Sequence, residues 1–352
     1  MSTLQISLAV TGGVVLAAIV AHSAWSARKN TPRQPEGPAL SSEALREPML
    51  DPLMDAGAAT LDSDALVLPK ALPLPVADKR LGLDALVDAI APIRLEHALY
   101  GQAALNAMPP TRRAGSKPFA IEGLNADTQV WETPHASQRY SAFQAGVQLA
   151  NRTGPLNEIE FSEFVVKTQG FADAINGTPE FPEMLDAVAH ARELDQFAGT
   201  HDAHLGFCLR AVGAAWSPGY IQQHAARLGL VPGAIPGRMV LPSATPGLPP
   251  ILSLVFDTQA ALAEDLTQSA VHELDLKLEV PHVDRSERPF QRLREVALSL
   301  ASSMDGRVTD DHGQALSSGT MDQIGADLEQ RYDQLDSREF SAGSPLARRL
   351  FS

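Results

Sequence analysis

VHELDLKLEVP, residues Val271–Pro281, alternates apolar and polar side chains. A period of two marks a β-strand with one buried face. Leu274, Leu276, Leu278 and Val280 are therefore expected to face a core, and Glu273, Asp275, Lys277 and Glu279 the opposite side. Just downstream, Phe290, Leu293, Val296, Ala297, Leu300, Ala301 and Met304 recur at helical spacing, and Asp305-Gly306 is expected to stop that helix at a left-handed cap. Upstream, Leu205–Val212 (LGFCLRAV) predicts a strand, and Ser217-Pro218 an N-cap and first-turn proline for a helix over Gly219–Leu228, closed by Gly229. Arg238–Leu241 and Ile251–Phe256 predict two more strands around the turn-rich Ser243–Pro250. A last helical pattern runs over Thr320–Tyr332. Together these predict an α+β unit in which helices cover one face of a mainly antiparallel sheet and leave the other open.

The same order occurs earlier. A strand over Phe143–Asn151 (FQAGVQLAN) precedes a helix carrying Phe161, Phe164, Thr168, Phe171, Ala172 and Ile175, stopped by Asn176-Gly177. A second helix follows over Phe181–Phe197. The offset between the two copies is about 129 residues, and it reads as a diverged duplication. Leu83–Glu96 and Pro118–Gly123 are expected as further strands of the first copy, with a short helix over Gly101–Met108 between them.

The order of elements over Leu205–Tyr332, SLVF after a Pro-rich turn, and LEVP followed by the capped helix ending in DGRVTDD resemble the carboxy-terminal domain of the ZipA family, bitopic inner-membrane proteins of bacterial cell division that bind FtsZ. The resemblance covers roughly 130 residues and lies more in turns and spacing than in identities. It implies that the open sheet face binds the carboxy-terminal tail of FtsZ in a shallow hydrophobic groove. Carried over position by position, that face would present Phe207, Leu209, Met239, Ser253, Val255 and Lys277. Their plain alternative is as ordinary strand residues packed under a loop or against the first unit. Lys277 stands where the family has an aromatic residue, so one side of the groove is expected to be more polar.

The amino-terminal stretch adds the second half of the resemblance. Leu4–Trp25 is 22 residues without a formal charge, followed by Arg28, Lys29 and Arg33. As a helix it spans roughly 30 Å, enough to cross a bilayer. Positive charge only on its carboxy-terminal side predicts residues 1–3 outside and the remainder in the cytoplasm, at the inner membrane and the division septum. Residues 26–80 form a basic juxtamembrane segment and a linker; Gln34–Arg80 holds seven prolines and eight acidic residues and predicts a disordered, partly extended chain. The expected organisation is then an α+β unit over 81–199, a ZipA-like domain over 200–335 and a tail over 336–352. The role of the first unit stays open between a second tail-binding module, a dock for another division protein, and a brace, of which the brace is favoured.

Composition narrows the remaining classes. A formal net charge of −14 disfavours nucleic acid as a partner, and the single cysteine, Cys208, excludes an internal disulfide and reads as a small buried core residue. His201, His204 and Cys208 have approximate metal spacing but lack a fourth ligand. Gly115-Ser116-Lys117 lacks the frame of a phosphate loop, and Asp310–Gly313 and Asp127–Gln129 read as turns. No catalytic signature and no cofactor motif are present, so a non-enzymatic tether of FtsZ polymers is expected. The alternatives are a scaffold of another envelope machine using a different peptide, and a membrane-bound hydrolase.

Overall fold

The computed structural model describes residues 32–35, 82–263, 265 and 269–352. The expected membrane segment Leu4–Trp25 and nearly all of the linker lie outside the described residues. Among those described, no helix is long and apolar enough to cross a membrane.

The first unit runs β1 (Asp88–Tyr100), α1 (Gly101–Ala107), β2 (Arg113–Ala114), β3 (Lys117–Asn125), β4 (Trp131–Glu132), β5 (Arg139–Gln148), β6 (Ala150–Asn151), β7 (Gly154–Pro155), α2 (Glu158–Ala174), β8 (Gly177–Pro179) and α3 (Met184–His201). The second runs β9 (His204–Ala211), α4 (Pro218–Arg227), β10 (Val231–Pro232), β11 (Arg238–Leu241), β12 (Leu252–Val255), α5 (Thr258–Leu262), β13 (Glu273–Glu279), α6 (Pro289–Met304), β14 (Gly306–Thr309) and α7 (Ser318–Asp336), and α8 (Pro345–Leu350) ends the chain. Strand order is β2-β3-β5-β1-β8 in the first main sheet and β10-β11-β12-β13-β9-β14 in the second. The path β3-β5-β1-β8 therefore has the connectivity of β12-β13-β9-β14. In both units a long strand and helix lead into a short edge strand that pairs with the unit's first strand.

Local chemistry explains the boundaries. Asn157 accepts from the backbone of Ile159 and Glu160 while Glu160 reaches back to the Asn157 N–H, a capping box that starts α2. Ser217 caps α4 as expected. The left-handed stops of α2 and α6 fall on Asn176 (φ 52°) and Asp305 (φ 55°), not on the glycines after them. Gly177 is needed for space instead: a Cβ there would lie 2.7 Å from Ile93 Cγ2. Leu83–Val87, expected as the start of a strand, forms a turn because Asp84 accepts from the backbone of Leu86, Val87 and Asp88.

Helices cover one face of each sheet. Phe119 and Phe143 meet Phe164 and Phe171 edge to face in the first unit, at centroid distances of 6.1 and 5.4 Å. In the second unit Leu274, Leu276 and Leu278 of β13 pack with Leu293, Val296 and Leu300 of α6 in one hydrophobic cluster.

Residues 336–352 are no loose tail. Ala347, Leu350 and Phe351 are buried, Gln148 donates to Arg349 O at 2.8 Å, and the Arg349 guanidinium pairs with Asp88 on the first unit. Burial raises the Asp88 carboxyl above its ordinary range and Arg349 pulls it back. The Asp88 side chain is 1% exposed, so Arg349→Ala leaves a buried carboxylate without its cation. That change is expected to cost about 3 kcal/mol in urea unfolding, with most of it recovered in an Asp88→Asn, Arg349→Leu double variant.

Candidate functional site

Antiparallel partners share a face, so the strand register decides which side chains line the open side of the second sheet. Lys277 pairs with Ser253 on one side and Gly206 on the other, and Asp275 with Val255 and Cys208. Leu276 pairs with Leu254 and Phe207, Leu274 with Leu209, and Met239 with Leu254. Leu274, Leu276 and Leu278 face the helices, as the alternation of β13 requires. Phe207, Leu209 and Met239 share that covered face, at 1%, 1% and 2% exposure. Ser253, Val255 and Lys277 lie on the open face. The six residues carried over from the family pattern thus divide three and three, and the first three belong to the core. Cys208 is corrected in the opposite sense: it is buried, but on the open side, across from Asp275 and Thr309.

The open face carries a shallow depression of about 630 Å³. Gly206 forms part of its floor, Ser253 and Val255 one wall, and Asp275 and Lys277 the middle. Lys277 Nζ stands 3.4 Å from Asp275 Oδ2, so the position that departs from the family is partly neutralised within the protein. Arg238 lies at the rim, and among the described residues its buried Nε has no hydrogen-bond acceptor. A buried donor of this kind favours a ligand that brings a carbonyl or carboxylate oxygen. Val255 is the apolar contribution of β12 to a depression of mixed polar and apolar lining.

The first unit holds the far end of this depression. Arg152, between β6 and β7, makes two 2.9 Å bonds to Asp202, lies 3.3 Å from Glu279 Oε2 and approaches His204 Nε2 at 3.2 Å. His204 and Glu279 both line the depression. Burial alone raises the Asp202 carboxyl, but Arg152, helped by His204, holds it below the usual carboxylate range. Planar two-point pairing of this kind fixes orientation as well as charge.

The first sheet's own open side is covered at Gly146. Gly146 pairs with Ile90 and Ala120 as Lys277 pairs with Gly206 and Ser253. A Cβ on Gly146 would lie 2.4 Å from Leu83 Cδ2, so the Leu83 side chain sits where a larger residue would project. The Leu83 N–H donates to Glu122 Oε1 at 3.2 Å, holding this segment across the sheet.

The other motifs resolve into structure. His201 stacks on Phe197 while His204 pairs with Asp202, so neither joins Cys208. Cys208, Glu273 and Asp275 bring ligand atoms within 4.8 Å of one another, but burial and the hydrogen bond with Glu273 push the thiol up, towards the protonated form. Lys117 is buried and donates to Asn151 Oδ1, Thr153 Oγ1 and Gly154 O, an internal cation that ties down the β6–β7 hairpin. Asp310 and Asn125 cap the two expected turns through their side chains. Sequence reasoning missed Arg238, Gly206, Arg152 and Leu83; an apolar residue opposite a mid-strand glycine was the one local signal for Leu83.

Residues 258–327 match the family model described as ZipA, C-terminal FtsZ-binding domain. The match takes in α5, β13, α6, β14 and the first half of α7, and so includes Asp275 and Lys277 in the middle of the depression but not Gly206, Arg238, Ser253 or Val255. No curated protein matches the chain.

Proposed function

We propose, from the match of residues 258–327 to the ZipA C-terminal FtsZ-binding domain, that the chain is a membrane tether for the division ring, with the depression over Gly206, Ser253 and Lys277 as the seat of the FtsZ carboxy-terminal tail. The open depression, whose middle strand β13 belongs to the matched segment, is the observation that carries this proposal. An extended peptide laid there would place an apolar side chain against Val255 and give a backbone or side-chain oxygen to Arg238. Leu4–Trp25 supplies the anchor, with Arg28 and Lys29 on its cytoplasmic side, and residues 26–80 the connection.

The first unit is a diverged copy of the second that serves as a brace. Leu83 lies over Gly146, the position that corresponds to Lys277, and so takes the place of a tail there, and Arg152 steadies the groove of the second unit. A shallow groove gives roughly micromolar affinity, about −8 kcal/mol. Against a polymer that displays one tail per subunit, many anchored copies raise the apparent affinity by orders of magnitude. Recruitment then depends on polymerised FtsZ without any chemistry by this chain.

The test is titration of a fluorescent FtsZ carboxy-terminal peptide into the full chain in phospholipid vesicles, followed by flotation with FtsZ polymers. Saturable binding in the micromolar range and co-flotation are expected. No saturation by about 1 mM peptide, equivalent to about −4 kcal/mol, sinks the tail seat. Failure of the chain itself to float with vesicles sinks the anchor.

A further inference from the structure

Pro32–Pro35, just beyond the basic residues Arg28 and Lys29, lies docked on the second unit although it is far from it in sequence. The Arg33 N–H donates to Ala215 O at 2.7 Å and the Ser217 N–H to Arg33 O at 2.9 Å, a short parallel pairing with Trp216 between them. The Arg33 guanidinium donates to Met304 O at 3.2 Å and to Asp305 Oδ2 at 2.8 Å. Met304 O is a terminal carbonyl of α6, where the helix dipole is negative and backbone acceptors lack helical partners. Trp216 Nε1 donates to the same carbonyl at 2.8 Å, and Trp216 is 0% exposed. Asp305 occupies a left-handed position that glycine fills at lower cost, and its carboxylate meets Arg33 there. Pro32 is buried, and Pro35 packs beside Gly219, where a Cβ would touch Pro35 Cγ at 3.4 Å.

We propose that the carboxy-terminal end of α6, with Ala215–Ser217, is a second recognition surface, separate from the tail groove, for a proline-flanked arginine segment, and that its occupant is Pro32–Pro35 of the same chain. Two prolines limit the freedom such a segment loses on docking, so two backbone bonds and one guanidinium clamp suffice to hold it. The consequence rests on the anchor reading above. Docked, six residues, Ser26–Thr31, separate the anchor from the folded body, a reach of at most about 20 Å. Released, residues 26–81 reach up to about 190 Å. The surface acts as a latch that sets how far from the membrane the groove can search.

Hydrogen exchange on the full chain in detergent micelles tests the docking. The amides of Arg33 and Ser217 are expected to be protected in the native chain, to exchange at least tenfold faster in Arg33→Glu, and to keep most of their protection in Arg33→Lys, which retains a cation at the Met304 carbonyl and Asp305. Exchange of the native Arg33 amide at the rate of an open chain overturns the proposal, as does no change in Arg33→Glu. Protection that grows with protein concentration also overturns it, because the segment then docks on a second copy. The reach is read by energy transfer from a dye on Ser302→Cys to labelled lipid, since native Cys208 is buried. Transfer is expected to drop in Arg33→Glu and to stay near the native level in Arg33→Lys; unchanged transfer in Arg33→Glu overturns the latch. A native chain that does not float with vesicles overturns the anchor and the reach, while the exchange data alone decide the docking.

Discussion

Gly206→Trp is expected to weaken binding of the FtsZ tail peptide at least tenfold while the protein stays folded. Gly206 lies within β9, pairs with Lys277 and forms part of the floor of the open depression. A Cβ there meets only Asp311 Oδ1 at 3.7 Å and Leu276 O at 3.9 Å, ordinary contact distances, and the backbone is not in the left-handed region. Replacing glycine within a strand also removes an entropic cost of folding. An indole at this position projects from the floor into the 630 Å³ depression, where a peptide side chain would otherwise lie. Peptide anisotropy and urea unfolding on the same preparation separate the two effects. Full affinity in a folded variant would move the tail seat away from this face.

Phe207→Ala, one residue along, is expected to act in the opposite way. It should cost about 3 to 5 kcal/mol of stability and leave the affinity of the folded fraction unchanged. Phe207 pairs with Leu276, is 1% exposed and meets Phe290 of α6 edge to face at 6.2 Å. Truncation leaves a cavity between sheet and helix that α6 cannot close without losing its own contacts. Urea unfolding gives the cost, and peptide titration under strongly native conditions gives the affinity. A stability loss under about 1 kcal/mol with a large loss of affinity would mean that the two faces of β9 are exchanged.

Adjacent residues with opposite outcomes mark the boundary between local and long-range information. VHELDLKLEVP assigns its own two faces residue by residue, because charge and apolarity alternate without exception from Glu273 to Leu278. LGFCLRAV does not, because Leu205, Phe207 and Leu209 alternate with Gly206 and Cys208, neither of which is charged. Its phase relative to β13 comes from the hydrogen-bond register, and a one-residue slip exchanges every side chain between core and groove. The same holds for Met239, whose side follows from its pairing with Leu254.

The sequence by itself determined the α+β class, most helix boundaries and caps, the repeated order of elements and the polar character of the β13 side of the groove. Each depends on spacing within a single element, where backbone geometry and capping operate over three to five residues. Tertiary structure alone decided which faces of β9 and β11 are open, that Leu83 packs over Gly146 of the first sheet, that Arg349 reaches Asp88, and that Arg33 docks at Asp305. These contacts join residues up to 272 positions apart. Their partners leave no periodic trace in the chain, because each forms only once the folded body has brought two surfaces together.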